Sequence, residues 1–347
     1  MEKELFYSFM KKVPKAEIHL HIEAVPTLKS IKELYKKRFD KEMTKADQKA
    51  LFSYNDLNGF IQAFLQVQDL YQSVDDFDYI FSDFSDYLTE NNVVYCEAFF
   101  APTAFLKKGF EYKDIVENFN KNIEKIKKEK GITIKILVDV SRTFGCENAM
   151  KNYNLIKEFP CKHVIGIGLG GAEQKGPAKE FEEVFAQALK DGYHAVAHAG
   201  EDVGPESIWD SINYLHAERI GHGITSIQDE KLVEYLKESQ LPVEVCPTSN
   251  VFTKKVVDKI ENHPIRPLYE KGVMVTVNTD DPVFFKVNLL DEYWNLHNKL
   301  NFSMDEIKQL VINAYNSSFL SEKDKKSYIK KVETAWKKAE EESALFV

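Results

Sequence analysis

Cysteine is scarce in this chain. Four residues, at 96, 146, 161 and 246, are spread over 347 positions, and no two form a C-x-x-C pair. That usage excludes a disulfide framework as the basis of the fold. No run approaches 18 consecutive apolar residues, so no segment is expected to span a bilayer. The opening stretch, MEKELFYSFMKKVPK, is charged throughout and has no apolar signal core. Basic charge is also in short supply. Lys and Arg number 46 against 55 Asp and Glu, a formal net charge of −9. A nucleic-acid binder needs a basic footprint, which this balance does not offer. These absences together lead us to expect a cytoplasmic protein whose partner is a free small molecule, not nucleic acid or membrane.

What is present is a large apolar fraction, 44% of residues, in a chain long enough to bury a sizeable core. Short apolar runs recur at 17–22, 93–100, 133–138, 164–169, 195–198, 219–220, 242–245 and 273–277. Amphipathic helical patterns separate them, among them 112–130, 178–191, 206–215 and 229–239. Strands alternating with helices imply βα units and a parallel sheet. Eight of them favour a closed (β/α)8 barrel over a doubly wound sheet. Two stretches stand outside this plan. Residues 28–88, rich in Phe and Tyr, form a helical insertion after the first strand, too long for an ordinary βα loop and placed to cover the barrel mouth. Residues 304–341 read as extra C-terminal helices packed outside. No repeat or domain boundary is visible, so residues 1–347 read as one domain.

His19 and His21 flank Leu20 in the first run. On a strand, positions i and i+2 share a face, so both imidazoles can reach one ion. His198 ends the fifth run, and Asp280 follows the eighth. A barrel places its reactive groups at these C-terminal strand ends. Three histidines and a carboxylate suit Zn2+. A zinc ion with an open position lowers the pKa of bound water from about 15.7 to about 7, which supplies hydroxide at neutral pH. Proton carriers are then needed nearby. Glu201, three residues after His198, is one candidate. His222, between Gly221 and Gly223 in a turn after the sixth run, is the other.

Six stretches resemble the adenosine deaminase family. They are PKAEIHLHIEA (14–24), GIGLGGAE (166–173), HAGEDVGPESIWDSI (198–212), AERIGHGI (217–224), VEVCPTSNV (243–251) and VTVNTDDPVFF (275–285). The resemblance implies one zinc per chain, held by His19, His21, His198 and Asp280. It implies that Glu201 protonates the purine N1 and that His222 orients or deprotonates the attacking water. It further implies that Asp281 contacts N7 and that the Gly171 backbone donates to N3. Hydroxide would attack C6 and ammonia would leave. Protonation at N1 fits the chemistry, because attack at C6 pushes electrons onto that nitrogen.

The sequence departs from the family pattern at four positions. Ala24 replaces a usual Gly, and Phe99 stands where Arg is common. Ala172 replaces an acidic residue. Glu23 stands where adenosine deaminases often have an Asp that contacts the ribose. From Thr279, GPESIW, VEVCPTSN and NAYNSSFL (313–320) we expect a nucleoside substrate, adenosine or 2′-deoxyadenosine, with Glu23 offering its carboxylate to the sugar. Adenine and aminodeoxyfutalosine are the alternatives. A two-metal hydrolase of the wider superfamily would bridge its ions through a Lys or Glu on the fourth strand. Here that strand ends in Gly168-Leu169-Gly170-Gly171, with no ligand. A non-catalytic binding protein would not need every catalytic position filled.

Overall fold

The computed structural model describes residues 1–54, 57–253 and 256–344. Eight strands follow one another in chain order: β1 (Lys15–Glu17), β2 (Val93–Phe100), β3 (Thr133–Asp139), β4 (Val164–Leu169), β5 (His194–Ala199), β6 (Arg219–His222), β7 (Val243–Val245) and β8 (Val275–Val277). Each pairs in parallel with the next. The ring closes just beyond β8. There Leu20 bridges Asp280 in parallel, His21 N–H donates to Asp280 O at 2.9 Å, and Asp280 N–H donates to His19 O at 3.2 Å. This is the (β/α)8 barrel expected from the alternation of patterns. These contacts join the two end strands of the sheet.

The first apolar run behaves differently from its sequence reading. Regular strand ends at Glu17, Leu20 and His21 continue it only through isolated bridges, and Ile22 opens the short 3-10 helix Ile22–Ala24. Glu17 turns to the Tyr87 hydroxyl and Thr279, while Ile18 N–H donates to the Asn278 side chain at 3.0 Å instead of to a ladder carbonyl. A side-chain amide has replaced the backbone partner, which is why the ladder breaks there. Beyond the break His19 and His21 still share one face. His222 also differs from expectation, since it ends β6 instead of lying in a following turn.

The insertion divides in two. The helix Phe77–Glu90 packs on β2 and on the helix Tyr112–Lys130, so it is the barrel's ordinary helix between β1 and β2. The true insertion is the preceding helices Leu28–Phe39, Lys45–Leu51 and Leu57–Asp69; residues 55–56 lie outside the described residues. Phe60 and Phe64 pack on Phe284, 5.6 and 5.5 Å between ring centroids, and the Tyr54 hydroxyl donates to Phe284 O at 2.5 Å. Phe284 lies in the short helix Pro282–Phe285 that follows Asp280 and Asp281 beyond β8, so this insertion does lie over the mouth at the C-terminal strand ends.

The C-terminal stretch divides as well. The helix Met304–Ser317 packs on β8 and β1 and completes the outer ring. Only Glu322–Ala344 lies outside it, against the N-terminal helix Lys3–Met10, with Trp336 and Phe9 at 4.8 Å. Among the described residues, no helix is long and apolar enough to cross a membrane.

Candidate active site

The barrel interior beneath the site is charged. Arg219 on β6 is 1% exposed and pairs with Glu97 of β2 and Glu244 of β7, each at 2.5 Å. Its guanidinium also stacks 3.9 Å over the Phe319 ring. A buried charge left alone costs on the order of several kcal/mol, so the three groups depend on one another. One cation against two carboxylates leaves negative charge over. Glu244 directs it upward, with Oε2 2.7 Å from His19 Nδ1. That contact makes His19 Nδ1 the donor and leaves the Nε2 lone pair facing the site.

His19 Nε2 is buried and has no hydrogen-bond partner. It lies 3.6 Å from Asp280 Oδ1, and His21 Nε2 lies 3.3 Å from the same oxygen. His21 Nε2 and His198 Nε2 are 3.2 Å apart. Two neutral imidazoles cannot both present lone pairs at that distance without an ion or proton between them. Ligands on a tetrahedral zinc sit about 2 Å from it and so roughly 3.3 Å from one another. The observed spacings fit that figure, and the four donor atoms lie within 4.8 Å of each other. Ser249 Oγ donates to Asp280 Oδ2 at 2.7 Å, which assigns the other oxygen to the histidines. Phe99, where the family pattern has Arg, packs its ring 4.9 Å from His19, 5.3 Å from His21 and 5.1 Å from His198, and so floors the group.

Around this group stand the other predicted residues. His222 Nε2 lies 3.5 Å from Glu201 Oε2 and 4.0 Å from Asp280 Oδ2. A Cβ at Gly221 would come within 2.7 Å of the His19 ring, so only glycine lets β6 run this close. Burial pushes the Glu201 carboxyl well above the usual carboxylate range, and the charges of Asp280 and Glu173 push it further. The adjacent aspartates diverge. Burial favours the neutral form of Asp280, but the close approach of the His19 and His21 rings overcomes it and holds the carboxyl well below its usual range. Burial and the Asp280 charge push Asp281 well up. One member of the pair is suited to a cation, the other to donating a proton.

Gly171 sits just past β4 with φ +95°, and a Cβ there would lie 2.4 Å from Thr143 Oγ1. Glu23 is 1% exposed, and its Oε1 accepts from Ala101 N–H at 2.7 Å. Its Oε2 is buried without a partner.

Several residues at the site were not legible as functional in the sequence. Glu173 accepts the backbone N–H groups of Gly200, Glu201, Asp202 and Val203 at 2.6, 3.2, 3.0 and 3.2 Å. Arg142 donates to the carbonyls of Gly176, at 2.8 Å, and His198. Asn250 and His263 stand behind His222. Glu97 and Glu244 had a readable signal, since each is a charge inside an otherwise apolar strand, and Arg219 opens the short strand β6.

The sequence profile of the adenosine deaminase family matches residues 14–335. The chain is similar to an adenine deaminase of Wolinella succinogenes, 34% identical with 92% of this chain and 97% of the relative covered. It is also similar to an aminodeoxyfutalosine deaminase of Streptomyces avermitilis, 32% identical, covering 95% and 94%. The crystal structure of an adenine deaminase from Arthrobacter aurescens superposes with a TM-score of 0.89 at 28% identity, covering 94% and 99%. Near-complete coverage on both sides, together with a donor set of three histidines and an aspartate inside a (β/α)8 barrel, establishes that this chain is a deaminase of the adenosine deaminase family.

Proposed function

We propose that this protein deaminates a 6-aminopurine hydrolytically, with free adenine as the preferred substrate and zinc as the resident ion. The reading rests above all on two carboxyl groups beside the metal-ligand group, Glu201 and Asp281, both pushed well above the usual carboxylate range by burial and by the charge of Asp280. Both N1 and N7 of a 6-aminopurine are acceptors, so two carboxyl donors beside the metal-ligand group suit that base. In this reading His19, His21, His198 and Asp280 hold the ion, and Glu201 delivers a proton to N1. Asp281 donates to N7, Gly171 N–H donates to N3, and His222 faces the attacking water. The ion, when bound, supplies the nucleophile from water at neutral pH.

The adenosine expectation gives way here. The relatives at 34% and 28% identity are adenine deaminases. Glu23 supports the same choice. Its unpaired Oε2 calls for a donor. The imidazole edge of free adenine carries an N–H, and a nucleoside has replaced that N–H with a sugar. Glutamate in place of aspartate also projects one methylene further into the space a ribose would occupy. The Streptomyces relative keeps aminodeoxyfutalosine as the second reading.

Ammonia release decides among these. The panel is adenine, adenosine, 2′-deoxyadenosine and aminodeoxyfutalosine, compared by kcat/KM. A site built around a substrate N–H rejects analogues lacking it by about 10⁴–10⁵ in favourable cases. Adenine is expected to lead by a wide margin. Faster turnover of either nucleoside would end the adenine assignment, and no release from any of the four would end the deaminase reading.

A further inference from the structure

A backbone N–H can only donate, and that of Ile265 lies 3.1 Å from His263 Nδ1. His263 Nδ1 is therefore an acceptor, and the proton of this neutral ring sits on Nε2. Burial alone, with no carboxylate partner, keeps the ring uncharged. Its Nε2–H meets Asn250 Oδ1 at 3.2 Å, so the Asn250 amide oxygen accepts. The amide NH2 group must then face the other way, where it lies 3.1 Å from His222 Nδ1. An NH2 group donates and cannot accept, so His222 Nδ1 offers a lone pair. No proton can sit there, which excludes both the Nδ1–H tautomer and the imidazolium. The one remaining proton position is Nε2, the atom facing Glu201 and Asp280. His222, Asn250 and His263 are each no more than 1% exposed, so bulk solvent does not compete for these bonds.

We propose that Asn250 and His263 are positioning residues that hold His222 as its Nε2–H tautomer, making it a donor into the active site. His222 then gains and loses no proton during turnover. It can orient the attacking water by donating to its oxygen, but it has no lone pair on that side with which to deprotonate it. Of the two roles that the family resemblance leaves open for this histidine, the hydrogen-bond polarity selects the first. The device begins at a backbone amide, so no change of side-chain rotamer can reverse it while residues 263–265 keep their fold. The inference uses the deaminase reading only to give His222 a water to face; the tautomer itself is independent of the substrate.

The test is a histidine ¹⁵N spectrum of the metal-loaded protein, with the His222 signals assigned by their loss in His222→Asn. Nε2 is expected to be protonated and Nδ1 bare. A proton on Nδ1 overturns the proposal whatever the substrate proves to be. Asn250→Asp supplies the second arm, because a carboxylate can only accept. It retains an acceptor for His263 but draws a proton onto His222 Nδ1. With metal content unchanged and KM little moved, kcat is expected to fall by about 10²–10³-fold, the usual range for loss of a hydrogen-bond donor aimed at a reacting oxygen. His263→Gln, which keeps a donor toward Asn250, should retain most activity, whereas His263→Leu should not. Full turnover in a folded, metal-replete Asn250→Asp protein also overturns the proposal. If that variant does not fold, the wild-type spectrum decides. These rates are read with whichever 6-aminopurine releases ammonia fastest, so a wrong choice of substrate shows in the substrate panel and leaves the spectrum untouched.

Discussion

Glu173 holds Glu201 by the backbone. The loop that presents Glu201 turns its four consecutive N–H groups, residues 200–203, onto one carboxylate, with Glu201 N 3.2 Å from Glu173 Oε2. Such a convergence of N–H groups is an anion cradle, and here the chain supplies its own anion. The arrangement does two things at once. It fixes the position of Glu201, and its charge is among those that push the Glu201 carboxyl up.

Glu173→Gln should therefore disturb both position and protonation. The amide keeps one acceptor but turns an NH2 group toward the remaining N–H donors, so the loop loses part of its anchor. Displacement of a reacting group by about 1 Å can cost about 10²-fold in rate. A kcat loss of that order is expected, with metal content retained. A general acid works only while protonated, so activity fails on the alkaline side of its pKa. Removing the Glu173 charge lowers the Glu201 pKa, and the alkaline limb of the rate profile should move to lower pH. A lowered kcat with an unmoved limb would show that Glu173 only braces the loop, and wild-type kcat with an unmoved limb would exclude both roles.

Glu201→Gln isolates the proton itself. Glutamine keeps the shape and the neighbours of the protonated carboxyl but cannot give up a proton. The variant should bind metal normally and lose about 10²–10⁴-fold in kcat. Near-normal turnover with full metal occupancy would remove Glu201 from the acid role.

The metal group makes a graded prediction. Asp280→Ala deletes a donor at a position where His19, His21 and Ser249 all meet, so most of the metal should be absent on elemental analysis. Glu244→Gln acts one step back, by weakening the acceptor that holds His19 Nδ1–H. Loss of such an outer carboxylate typically costs about 10–100-fold in metal affinity. Competition against a chelator should rank the proteins wild type, then Glu244→Gln, then Asp280→Ala. Equal retention by all three would show that these side chains do not hold the ion.

The barrel was readable because its signal is periodic. Val93–Phe100 and Val164–Leu169 are apolar runs whose bounds match the strands observed. The residues expected at the metal group meet because all lie at C-terminal strand ends, a property of the architecture that survives the irregularity at Ile18. Glu173 and Asn250 were hidden for the opposite reason. Their partners lie 27–30 and 13–28 positions away on other elements, and no period connects them. The division of residues 28–88 was not legible because the outer-ring helix and the insertion both read as helix in sequence. Only packing on β2 separates them.

Stability should carry a pH signature from a group outside the chemistry. Glu292 is fully buried, and burial lifts its carboxyl from 4.5 to about 8, with partial relief from the Thr248 N–H at 2.9 Å. Between those two values the folded state keeps a proton that the unfolded state releases. Stability changes with pH in proportion to the protons bound unfolded minus those bound folded, and that difference is negative here. Glu292 therefore lowers stability progressively as pH rises from about 4.5 to about 8, and the full penalty is present above that window. One pKa unit corresponds to about 1.4 kcal/mol, so the total is on the order of a few kcal/mol. Glu292→Gln keeps an acceptor for Thr248 N–H and cannot ionise. Urea unfolding of the two proteins should give similar midpoints at pH 5 and a clear advantage for the variant at pH 8. If the two stability curves run parallel across that range, Glu292 is not titrating in the folded protein.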